Sequence, residues 1–134
     1  MQMDKVQALL ARHEAFKAKW LFALNYDDVF NWLMLKDEMI ILSSQLKSEY
    51  MEWEIKQKAK KGSRMIELKL MVNELGKKTH TDATAEWVIR KESLQDDLNQ
   101  AMLKTSYELL FEIAQWIEDY TQIVKAQNKA LFTV

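Results

Sequence analysis

The chain contains no cysteine, no proline and only two glycines, Gly62 and Gly76, in 134 residues. Without cysteine there is no disulfide framework and no thiolate metal site, which fits a reducing, cytoplasmic setting. Proline and glycine break helices and build turns, so the backbone has few places to bend. Histidine is nearly absent as well. His13 and His80 sit at unrelated positions, neither beside a cysteine or serine, and no Glu-x-x-His spacing exists for a carboxylate-bridged metal pair. No glycine-rich loop is available to cradle a phosphate. The expectation is therefore a protein that is not an enzyme and carries no cofactor.

Long hydrophobic runs are also missing. The densest, Val29 to Leu42, is interrupted by Asn31, Lys36, Asp37 and Glu38, so no membrane span is expected. Met1 to Lys19 is charged and amphipathic, unlike a signal peptide. What is present is apolar residue in quantity: a hydrophobic fraction of 49% with five tryptophans excludes a disordered chain and fits one domain over residues 1–134.

The apolar residues recur at helical spacing almost from end to end. Asp4 is a good N-cap for a first helix within residues 1–25, with Val6, Leu9, Leu10, His13, Phe16, Trp20 and Leu24 on one stripe. Asn25 to Asp28 reads as a corner. Asp27 caps a second helix over 27–75, whose seam alternates threes and fours through Trp32, Leu35, Met39, Leu42, Leu46, Tyr50 and Trp53. Gly62-Ser63 either ends this helix and caps another or is tolerated within it, at about 1 kcal/mol. Met65, Ile66, Leu68, Leu70, Met71, Val72 and Leu75 resume the apolar face. Gly76 then stops the helix, and Thr81 or Asp82 caps a last one over 83–131. Trp87, Leu94, Leu98, Met102, Thr105, Leu109, Ile113, Trp116, Tyr120 and Ile123 hold its register.

The matched lengths of 27–75 and 83–131 predict an all-α fold: a long antiparallel, coiled-coil-like hairpin turning at 76–82, with an additional N-terminal helix. Helices of this length expose apolar edges when alone, so a homo-oligomer is expected. The tryptophans at 20, 32, 87 and 116 are expected in the core, as is a hydrogen-bonded His13; His80 is expected in a solvated turn. The eight methionines fit core gap-filling or an adaptable partner surface. The first helix suits a partner helix better than a membrane, since it lacks a strongly cationic face.

Charge is distributed unevenly. From Lys56 to Lys78 eight basic residues stand against Glu67 and Glu74, a local +6 that leaves −7 for the remainder of a chain of net charge −1. On a helix, Tyr50, Trp53, Lys56, Lys60 and Arg64 descend one face, placing cations beside aromatic rings. Single-stranded nucleic acid binding uses that combination, charge for phosphates and ring faces for bases. The competing reading is neutralisation: in a hairpin centred near residue 79, this segment faces Glu92, Asp96 and Asp97. Lys77 and Lys78 at the tip escape that pairing.

The basic stretch after a Tyr/Trp-bearing helix (Tyr50, Trp53, Lys56 to Arg64), the Thr81-Asp82 break and the final helix with Tyr107, Trp116 and Tyr120 resemble the UvsY-type recombination mediators of tailed phages. The resemblance implies a small oligomer in the host cytoplasm that binds single-stranded DNA and helps a recombinase displace single-strand-binding protein. It further implies DNA contacts at Lys58, Lys60, Lys61 and Arg64. The leading expectation is thus a phage-like, non-enzymatic accessory protein of recombination or replication that binds single-stranded DNA. The alternative is a helical protein–protein interaction module, an adaptor, structural or inhibitory protein, that binds no nucleic acid.

Overall fold

The computed structural model describes residues 2–19 and 26–127. Trp20, Leu24 and Asn25, and the expected last turn of the final helix at 128–131, lie outside the described residues. Among the described residues the fold is all-α with four helices: α1 (Met3–Lys17), α2 (Tyr26–Leu70), α3 (Asp82–Glu92) and α4 (Leu94–Gln127). The long helices α2 and α4 pack against each other as a hairpin. The chain divides into two compact units, one drawn from Met1–Lys47 with Lys104–Val134 and the other from Ser48–Leu103.

The first unit is a three-helix bundle. Its core takes Val6 and Leu9 from α1, Val29, Trp32, Leu35, Met39, Leu42 and Leu46 from α2, and Leu110, Ala114, Ile117 and Val124 from α4. The expected α2 seam is thus buried from Trp32 to Leu46, while its continuation at Tyr50 and Trp53 is half-buried. Trp32 meets Phe16 of α1 edge-on at 6.3 Å and Tyr120 of α4 at 5.1 Å, so one indole joins all three helices. Two hydroxyls taken into this core have partners: Ser43 Oγ donates to the Tyr107 carbonyl at 2.8 Å and Thr121 Oγ1 to the Ile117 carbonyl at 2.7 Å. Lys36 Nζ lies 2.8 Å from Glu118, and Arg12 pairs with Glu38.

The second unit has two layers: residues 48–70 of α2 against α3 and the first turns of α4. Its core is small, built on Leu68, Ala85 and Ile89 with Met65 and Val88 packed against them. Gly62 does not interrupt α2, which settles the open alternative in favour of tolerance. The helix ends at Leu70, not near residue 75. Beyond it the Asn73 side chain accepts the backbone N–H groups of Leu75 at 2.9 Å and Lys77 at 3.0 Å, offering the backbone an alternative to the helical ladder. Val72 and Lys78 form an antiparallel bridge around this turn, in which Gly76 adopts φ +74°. Gly76 therefore serves a tight turn rather than the helix end. Thr81 caps α3 as expected, in a reciprocal box with Thr84.

Two expectations about the last helix are corrected. It is not continuous: Ser93 interrupts it with φ −97° and ψ 6°, its Oγ donating to the Ile89 carbonyl at 2.6 Å. Its register also differs. Leu103, Ser106, Leu110, Ala114, Ile117, Thr121 and Val124 are buried, whereas Trp87, Leu94, Leu98, Met102, Leu109, Trp116 and Ile123 are exposed. Trp87 and Trp116 are accordingly not core residues, while Trp32 is. Asp4 stands in the first turn of α1, with Gln2 at the N-cap position and making no side-chain cap bond.

Candidate nucleic-acid interface

The nine residues singled out from the sequence all lie in the second unit, seven on α2 and two in the turn after it. On a helix of 3.6 residues per turn, Tyr50, Trp53, Gln57, Lys60, Lys61 and Arg64 fall on the side that looks toward α3 and α4. Three of the cations are engaged across the hairpin. Lys60 Nζ is 3.2 Å from Asp96, and Lys61 Nζ is 2.7 Å from Asp97. Arg64 forks onto Glu92, Nε to Oε2 at 3.0 Å and Nη2 to Oε1 at 2.8 Å, and its Nη1 reaches Glu67 at 2.9 Å. These hydrogen bonds, Glu92 first, push the Arg64 pKa further above its ordinary value, and the bond from Arg64 holds the Glu92 carboxyl below its usual range. The cross-hairpin acids are the three named by the neutralising alternative.

The aromatic side of the expected site is equally committed. Tyr50 and Trp53 are half-buried, and Trp53 Nε1 is buried without a hydrogen-bond partner, as is Gln57 Oε1 one turn on. An open cleft of about 470 Å³ is lined by Gln57, Lys60, Arg64, Ile89 and Glu92 among others, so its walls carry both signs of charge.

The remaining cations differ. Lys58 pairs with Glu54 one turn back at 3.4 Å, an exposed contact of small energetic consequence. Lys56, Lys77 and Lys78 are exposed and have no ion pair among the described residues; Lys78 only helps Lys69 lower the Asp82 pKa. Among the described residues there is no group of three or more His, Asp or Glu placed to hold a metal ion, and no helix is long and apolar enough to cross a membrane.

What sequence reasoning missed is a set of apolar surfaces on this unit. Met51, Ile55, Ile66 and Leu70 of α2, Trp87 of α3 and Leu94, Leu98 and Met102 of α4 are all exposed, Ile55 at 70% and Trp87 at 63%. Lys91 lies 5.2 Å over the Trp87 ring. The signal was present: both α2 and the α3–α4 segment carry more apolar residues than one helix face can hold. No family model, curated protein or solved structure shows significant similarity to the chain.

Proposed function

We propose that this chain is a non-enzymatic helical interaction protein whose working surface is the set of apolar helix faces that its hairpin leaves uncovered. One observation carries the reading: Lys60, Lys61 and Arg64 are engaged with Asp96, Asp97 and Glu92 respectively, while large apolar side chains on the same unit stay in water. Exposed apolar side chains in this number on one small unit point to an association surface, because large uncovered apolar area is uncommon on monomers. Two-layered helical hairpins reach independent stability by joining further helices into bundles.

The test is light scattering coupled to size exclusion, with fluorescence anisotropy of labelled single-stranded DNA in parallel. Assembly above the monomer mass should persist between about 50 and 200 mM salt, because apolar burial is not screened, and DNA should bind weakly at the upper end. A monomer that holds single-stranded DNA at that salt contradicts the reading.

The nucleic-acid reading of the recombination-mediator type keeps one supporting observation, the three lysines without carboxylate partners, Lys56, Lys77 and Lys78. Binding through these three alone gives a shallow salt dependence. At about 0.7 per phosphate contact on a single strand, the slope of log affinity on log salt is no steeper than about −2.

A further inference from the structure

Within α2 the exposed apolar positions form a pattern that reads the same in both directions. Met51, Ile55, Ala59, Gly62, Ile66 and Leu70 are all exposed and step by four, four, three, four and four residues. At 3.6 residues per turn they form one stripe, on the side of the helix away from the one that meets α3 and α4. The sizes are symmetric as well: large, large, small, small, large, large. Position 51 is to 70 as 55 is to 66 and as 59 is to 62.

Gly62 supplies a second, separate observation. It sits inside a helix of 45 residues with helical backbone, where glycine costs about 1 kcal/mol relative to alanine. A Cβ built there meets nothing within 4 Å, so neither packing nor conformation within this chain calls for glycine. A glycine on an exposed helix face is accounted for by the close approach of another backbone.

Resting on the interaction reading above, we infer that this stripe pairs with the same stripe of a second copy of the chain. The two α2 helices run antiparallel about a two-fold axis between residues 60 and 61. Met51 then meets Leu70 of the second copy, Ile55 meets Ile66, and Ala59 meets Gly62, where the small side chains let the helix axes approach below the usual 8–10 Å. An isologous contact of this kind closes on itself as a dimer. Charge agrees with it. On one flank of the stripe Lys56, which has no ion pair among the described residues, comes beside Glu67 of the second copy, which in its own chain accepts an exposed contact from Arg64. On the other flank Lys69, which pairs with Asp82 at 2.7 Å in its own chain, comes beside Glu54, which pairs with Lys58 at 3.4 Å.

The absence of native cysteine makes the register directly readable. Ile55→Cys and Ile66→Cys chains are oxidised separately and as a mixture, then run on a non-reducing gel. The antiparallel register gives a disulfide dimer in the mixture and little from either chain alone, because residue 55 and its own copy lie about 16 Å apart along the axis. A dimer from Ile55→Cys alone indicates parallel pairing and overturns the inference. Gly62→Gln is the companion variant. It relieves the helix of its glycine, so the monomer stays folded, and it raises the dimer dissociation constant about 10- to 100-fold by overpacking the crossing. An unchanged dissociation constant also overturns the inference. Native chains that scatter as oligomers while the mixture fails to cross-link reject this pairing yet leave the interaction reading standing. Native chains that scatter as monomers reject both.

Discussion

Arg64 and Glu92 are joined by two parallel hydrogen bonds across the hairpin, at 3.0 and 2.8 Å, the geometry in which a guanidinium fork matches a carboxylate. With Lys60–Asp96 and Lys61–Asp97 this pair forms a ladder that neutralises the most basic stretch of the chain. The ladder lies at the surface, so its worth to stability is small; its larger consequence is to occupy the cations that a phosphate backbone would use.

That occupation is testable by removing the acids rather than the bases. A Glu92→Gln, Asp96→Asn, Asp97→Asn chain keeps side-chain shape and releases Lys60, Lys61 and Arg64 from cross-hairpin pairing. Single-stranded DNA should bind this variant more tightly than the native chain, with a salt slope steeper by about 2, or 0.7 for each of three new phosphate contacts. Anisotropy titrations at several salt concentrations read both quantities. Equal affinity and equal slope for the two proteins would show that the ladder does not mask a nucleic-acid surface.

Adjacent leucines on α4 separate core from surface. Leu110 is 0% exposed and Leu109 is 39% exposed, so one substitution at two neighbouring positions should give unequal costs. Leu110→Ala should lose about 2–5 kcal/mol, from lost transfer free energy plus the cavity left behind. Leu109→Ala should stay within about 0.5 kcal/mol when urea unfolding is followed at a dilution where the chain is monomeric. Equal losses would mean that the core register on α4 is not the one described.

That pair also explains which parts of the fold the sequence made legible. On α2 the seam from Trp32 to Leu46 steps by threes and fours through the large apolar residues, and those residues are buried while their neighbours Met34, Ile40 and Ile41 stay exposed. On α4 apolar residues come as neighbours: Met102 with Leu103, Leu109 with Leu110, Trp116 with Ile117, Ile123 with Val124. Two stripes about 100° apart are then equally regular, and side-chain size favours the one carrying the tryptophan. The buried stripe instead includes Ser106, Ala114 and Thr121, whose small size admits close neighbours and whose hydroxyls are satisfied by the Met3 sulfur and the Ile117 carbonyl. The break at Ser93 was hidden because a serine hydroxyl bonding back to the preceding turn leaves no compositional trace. The neutralising acids, by contrast, followed from simple hairpin counting, since pairing depends only on where the chain turns.

The turn itself makes a third prediction. Gly76 has φ +74°, a region where a Cβ costs roughly 1–2 kcal/mol, and space around it is open. Gly76→Ala should therefore destabilise through backbone strain alone, by about 1 kcal/mol, whereas Gly76→Asn should recover part of the loss because asparagine tolerates this conformation. Thermal melts of the three proteins at one concentration decide it. Alanine melting with the native chain would mean that the turn relaxes out of the left-handed region.

The last prediction concerns acid sensitivity in the three-helix unit. His13 is buried on α1 against the edge of Trp116, 6.1 Å between ring centroids, and the loss of water around the ring lowers its pKa, a fall that Glu14 opposes and Lys17 assists. The unfolded chain binds a proton near pH 6.5, while the folded chain binds it only at lower pH. Between those two values the unfolded state holds more protons, so stability rises with pH through the window and falls as pH drops below about 6.5. The carboxylates with lowered pKa values, Asp82, Glu92 and Glu118, contribute acid sensitivity only further down, because their stabilisation is lost on protonation below the ordinary carboxylate range. Urea midpoints measured from pH 7.5 down to about 5.5 thus isolate the histidine. They should fall in the native chain and stay level in His13→Gln, which cannot take up a proton there. A native chain whose midpoint is flat across that window, or a His13→Gln chain that keeps the same slope, would assign the acid response to another group.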